Sequence, residues 1–175
     1  MKVEARFKLR YKMSLKEILE QEIEETRERY IALVNSIPES DYSLATDNPA
    51  WTMGDILYHL TLGSHALSLE IWMIVNARGL FQLGMKYFPS RLFNRVNAIF
   101  TQRGKRINRQ MLIKAYEAGH TGIRSRLRRT REEDMQKSVV YPVEFVSELA
   151  GEVSVERLFR YVKGHFEVHR NQLKR

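Results

Sequence analysis

His165 and His169 stand four residues apart near the C-terminus of the chain. Residues at that spacing share one face of a helix, so two imidazoles placed there can grip a single metal ion. A third imidazole, His59, belongs to the phrase Trp51-Thr52-Met53-Gly54-Asp55-Ile56-Leu57-Tyr58-His59-Leu60 far earlier in the chain. Supplied from a neighbouring helix, it would complete a three-histidine site with a coordination position left open. Such sites are catalytic rather than closed structural centres. The chain has no cysteine, which excludes disulfides and thiolate ligands, so any metal must be held by His, Asp or Glu.

The apolar pattern says where these rings point. Leu158, Val162, His165, His169 and Gln172 follow one another at helical spacing, which puts both histidines on the buried seam of the last helix. Polar rings are costly to bury unless they are paired, which favours a shared ligand. His59 falls between Ile56 and Gly63 on an earlier helix, with Gly63 removing bulk one turn away. Around this set, Asp55, Tyr161 and Gln172 are the candidates to orient the ligands from behind. Asp55 has a competing reading as a carboxylate at a helix N-terminus. His65 and His120 read as surface or structural residues, and Glu167, between the two C-terminal histidines, as facing out.

Four long periodic segments must position these groups. Ser14-Leu15-Lys16-Glu17 is a capping box that opens the first helix, with Leu15, Ile18, Leu19, Ile23, Tyr30 and Leu33 facing in, and Ile37-Pro38 ends it. Thr52-Met53-Gly54-Asp55 opens a second, whose period reaches about Asn76. A third runs from about Lys105 to Arg129, and a fourth starts near Ser154 after Gly151. Pro89 suits the first turn of a short extra helix within 89–102. Val139 to Val143 reads as an extended connector. The expectation is an all-α four-helix bundle, one domain over 14–175, preceded by an arm over 1–13. Residues 2 to 12 alternate apolar and charged, as a strand or an extended arm would.

The net charge is +8, which permits nucleic acid, anionic lipid or an anionic substrate as partner. Between Glu70 and Glu117 no acidic residue occurs, while nine are Lys or Arg, from Arg78 to Lys114. Phe81, Tyr87, Phe88, Phe93 and Phe100 interleave with them. This segment reads as a solvated surface, as a lid over the site favouring an anionic substrate, or as a docking surface for nucleic acid or acidic lipid. No apolar run long enough to span a membrane and no signal peptide are seen, so the expected compartment is the cytoplasm.

The phrase from Trp51 to Leu60 resembles the entry to the second helix of DinB-like (YfiT-like) four-helix proteins. The stretch His165-Phe166-Glu167-Val168-His169-Arg170-Asn171-Gln172 resembles their last-helix signature. The resemblance implies a divalent metal, nickel or zinc, held by His59, His165 and His169. It implies a metal-dependent hydrolase, or a transferase acting with low-molecular-weight thiols, and a homodimer. The two activities are two uses of one site: an open metal position lets water ionise near neutral pH, and equally holds a thiol as thiolate. No general acid or base can be named from the sequence. The alternative is a non-catalytic basic binding protein of the same fold, acting on nucleic acid or an acidic partner in a stress response. A third reading is a helical module that pairs subunits through the N-terminal arm.

Overall fold

The computed structural model describes residues 13–87, 89–102 and 107–173. The expected arm falls outside them except for Met13. Five helices and one small hairpin make up the described chain: α1 (Leu15–Ser36), α2 (Met53–Tyr87), α3 (Ser90–Thr101), α4 (Arg109–Arg129), β1 (Ser138–Tyr141), β2 (Gly151–Ser154) and α5 (Val155–Gln172).

Local chemistry sets the helix ends. The Ser14 hydroxyl accepts the Glu17 amide at 3.3 Å while the Glu17 carboxylate accepts the Ser14 amide at 2.7 Å, closing the expected capping box. Helix α1 stops at Ser36 because Ile37, before Pro38, is extended at φ −99 and ψ 122. Asn108 caps α4 by accepting the Met111 amide at 2.9 Å. Ser154 caps α5 by accepting the Arg157 amide at 3.2 Å.

The four long helices form the expected bundle. Helix α1 packs on α4 and α5, and α2 packs on the same two, so α1 and α2 lie diagonally opposed. One core cluster joins Leu19, Ile71, Ile74, Ile123 and Phe159 to the hairpin. The other joins Tyr30, Ile56, Leu57, Tyr116 and Phe166 at the end where His59 enters. There Tyr30 stacks on Tyr116 with centroids 3.8 Å apart and donates its hydroxyl to the Leu57 carbonyl at 3.0 Å. Acidic residues of α1 pair with the arginines late in α4: Glu20 meets Arg124 and Arg128, each at 2.7 Å.

Helix α2 is regular as far as Asn76, where the expected period ends; it breaks at Ala77, at φ −142 and ψ 38, and an unexpected second helical stretch runs on to Tyr87. Side chains enter the helix ladder there: Asn76 donates to the Trp72 carbonyl at 2.8 Å and Lys137 donates to that of Val75 at 3.1 Å. The extended connector is in fact strand β1, paired antiparallel with β2 from Ser138 opposite Ser154 to Tyr141 opposite Gly151. Gly151 makes the turn possible at φ 90. Beyond the kink, Gln82 accepts the Val140 amide at 2.7 Å and donates to the Val140 carbonyl at 3.1 Å, so α2 satisfies a free edge of the hairpin. The short helix α3 follows Pro89 as expected. No helix among the described residues is long and apolar enough to cross a membrane.

Candidate metal centre

Helices α2 and α5 bring His59, His165 and His169 together. One nitrogen from each lies within 4.8 Å of the others. The Nε2 atoms of His59 and His165 face each other at 3.0 Å. All three rings are part-buried and open onto one cavity of about 520 Å³. Trp51 roofs the group, its ring centroid 4.6 Å from that of His59 and 5.5 Å from that of His169.

The neighbours fix ring orientation. His169 donates its Nδ1–H to the Gln172 carbonyl oxygen at 3.0 Å, which leaves its Nε2 with a lone pair. His59 places Nδ1 3.3 Å from the Thr101 hydroxyl, on α3, and turns Nε2 inward. Gly63 makes room for a ring, but the ring is that of His165 rather than of His59, lying 2.6 Å from where a Cβ would be. Burial, then the neighbouring His169, pushes the His59 imidazole down to about 3. Burial, then His59 and His169, holds His165 well below its ordinary value. Burial lowers His169 too, against the opposing pull of Gln172 and Glu148. All three are therefore neutral near pH 7, the form that ligates a metal.

The three sequence candidates for ligand support separate. Gln172 holds His169. Tyr161 lines the same cavity, its ring centroid 5.9 Å from that of His165. Asp55 does not reach His59: its Oδ2 accepts the Thr52 amide at 3.0 Å and the Thr52 hydroxyl at 2.8 Å, so it caps α2. The support of His59 comes instead from Thr101, for which the sequence carried no signal. His65 is exposed. His120 is buried beside Glu24, with Nε2 3.2 Å from its carboxylate. Glu167 faces away, paired with Arg29 and with Arg170.

The basic segment lends Val96, Asn97 and Phe100 to the cavity wall but, among the described residues, none of its basic side chains. Arg78, Lys86, Arg91, Arg95 and Lys114 are exposed, Arg109 donates to the Ile37 carbonyl at 3.0 Å, and Arg103, Lys105 and Arg106 fall outside the described residues. No Lys or Arg lines the cavity among the described residues. Its charged lining side chains other than histidine are Glu70 and Glu148.

Comparison with known proteins places this geometry. No curated protein matches the sequence. Two solved structures share the fold, both of the mycothiol-dependent maleylpyruvate isomerase, one of them a point mutant. They match with a TM-score of 0.67 at 13% and 12% identity over 93% of this chain. The chain spans 62% of the length of those proteins. The family model of the DinB superfamily matches residues 22–173, which include all three histidines, the later part of α1 and the whole of α2, α4 and α5. The chain belongs to the DinB superfamily.

Proposed function

We propose that the protein is a metal-dependent enzyme that activates a low-molecular-weight thiol, or water, at a divalent ion held by His59, His165 and His169. The observation that carries this reading is the convergence of three neutral imidazoles at the wall of a cavity large enough for a small-molecule substrate. The donor set fits a metal. Tetrahedral ligands at a metal–nitrogen distance of about 2.0–2.1 Å stand about 3.3 Å apart, close to the 3.0 Å between the two Nε2 atoms. Nickel and zinc both suit imidazole donors. With three protein ligands, a bound ion would keep a position open and supply Lewis acidity there.

The chain's own residues have separable tasks. Gln172 and Thr101 hold two rings with their ligating nitrogens inward. Trp51 and Phe100 wall the cavity with apolar surface, which excludes water and strengthens electrostatic interactions inside. Thiol use is the reading favoured over hydrolysis, supported by the name of the structurally similar enzyme, which is mycothiol-dependent. Metal content of tag-free protein tests the proposal. One metal per chain in the wild type, and little in His59→Ala or His169→Ala, is the expected result. No metal after reloading with nickel or zinc and dialysis overturns it.

A further inference from the structure

The helices turn their apolar stripes into the bundle, but on either side of Pro89 two stripes turn out. Beyond the break at Ala77, Phe81 and Met85 of α2 pack on the core cluster that includes the hairpin. Leu80, Leu83 and Tyr87, at spacings of three and four, form a stripe on the other side of the same helix. Helix α3, which packs against α2, repeats the pattern. Thr101 is fully buried against His59, and Asn97 lines the cavity, so the inner side of α3 carries polar groups. Leu92, Val96 and Ile99, at spacings of four and three, form its outer stripe. These six apolar side chains are between 42% and 73% exposed. A helix of 12 residues is marginal in water by itself and is stabilised by burying its apolar face. Two such stripes left on the surface mark a place where the chain meets an apolar partner.

The charge around the stripes has one sign. Arg78, Lys86, Arg91 and Arg95 are exposed, and no acidic residue occurs between Glu70 and Glu117. On the helical wheel of α3, Arg91 and Arg95 border the outer stripe on the side away from Asn97 and Thr101. From this we infer that the two stripes are a docking surface for an anionic lipid bilayer. The leucines, Val96 and Ile99 enter the boundary between headgroups and acyl chains, and the basic side chains meet the lipid phosphates. A second copy of the chain fits this face less well, because a two-fold contact would set each basic border against itself. Nucleic acid fits it less well too. Single-stranded binding surfaces offer aromatic rings for bases to stack on, whereas five of the six side chains here are aliphatic, and Lys86 holds its ammonium 5.3 Å from the centre of the Tyr87 ring. Val96 also lines the histidine cavity, so the docking face adjoins it.

Sedimentation of the full chain with sucrose-loaded vesicles tests the inference, and the test needs no bound metal. The vesicles are phosphatidylcholine alone, or phosphatidylcholine with about one third phosphatidylglycerol. At low salt the chain should bind the anionic vesicles at least about tenfold more tightly than the neutral ones, and high salt should remove that advantage. Arg91→Gln/Arg95→Gln should weaken binding about fivefold for each charge removed. Leu92→Gln/Ile99→Gln leaves the net charge unchanged and should still weaken binding at least about tenfold. Its side chains are exposed, so its melting midpoint should match that of the wild type. Leu80→Gln/Leu83→Gln repeats the measurement on α2 in case α3 does not keep its fold. No binding to the anionic vesicles overturns the inference. So does binding that a folded apolar variant leaves unchanged, which would be adhesion by net charge alone. Where the vesicles stay unbound, a dimer that Leu92→Gln/Ile99→Gln disperses would assign the face to a second copy, and salt-sensitive binding of a short DNA duplex would assign it to nucleic acid.

Discussion

Gly63 of α2 lies flat against the imidazole of His165 on α5: a Cβ at residue 63 would stand 2.6 Å from both Nδ1 and Cε1 of that ring. Atoms do not approach so closely, so Gly63→Ala must displace the ring or part the helices. Alanine is otherwise the better helix former, by roughly 0.5–1 kcal/mol. Stability and site geometry therefore respond in opposite senses. Metal-free Gly63→Ala should melt close to the wild type, while its zinc affinity falls at least about tenfold. Competition with a chromogenic chelator measures that affinity, and an unchanged value would remove Gly63 from the site.

Ring orientation depends on two groups that bond the Nδ1 side of the histidines. Gln172 accepts from His169 and Thr101 meets His59. Removing partners of this kind lowers metal affinity by about 10- to 100-fold. Gln172→Ala and Thr101→Val should each fall in that range, while Gln172→Glu, which still accepts from Nδ1, should recover most of the loss. Equal affinity in Gln172→Ala and the wild type would show that α5 packing alone holds the ring.

Acid should weaken the metal-free protein well above the carboxylate range. The three site histidines are neutral in the folded chain, with His59 held at about 3. In the unfolded chain they titrate near 6.5. Below that value the unfolded state binds more protons, so stability is present above about pH 6.5 and is lost progressively as pH falls towards 3. The slope approaches about 1.4 kcal/mol per pH unit for each ring. His120, lowered chiefly by burial, adds to it. Asp134, held low by Arg131 and Lys137, titrates below this window. Urea melts at pH 7 and pH 5 should show the loss, and His165→Leu, with one ring fewer, should show a shallower one. A flat profile would mean that the rings take up protons in the folded state.

How much of this was legible in the chain depends on the range over which each signal acts. Helix starts at Ser14, Pro89 and Ser154, and the stop at Ile37, are set within three or four residues. The histidine set was legible because two members share one helix face and the third sits at a helix entry. Thr101 was not, because its partner is 42 residues away and nothing in its own neighbourhood sets it apart from other threonines. The stretch of α2 beyond its break at Ala77 was not legible, because Gln82 and Lys137 join the helix to the hairpin through bonds that no local pattern announces. Strands of four residues fall below the length at which period two can be told from a connector.

Asp55 had two local readings, of which the sequence favoured the helix N-terminus over ligand support, and a pair of measurements separates them. It is fully buried, one turn before His59, but its Oδ2 serves Thr52. Its Oδ1 is buried with no hydrogen-bond partner among the described residues, so it holds nothing on the histidine side. Loss of the cap leaves the Thr52 amide and hydroxyl without their acceptor, at a cost of about 1–2 kcal/mol. Asp55→Ala should therefore lower the thermal midpoint of the metal-free protein by several degrees, at about 2–4 °C per kcal/mol for a domain of this size. Its zinc affinity should stay within about threefold of the wild type, since ligand support lost from a metal site costs tenfold or more. The opposite pattern, an unchanged midpoint with weakened zinc binding, would return Asp55 to the metal site. It would then require that α2 entry and His59 orientation are coupled through that one carboxylate.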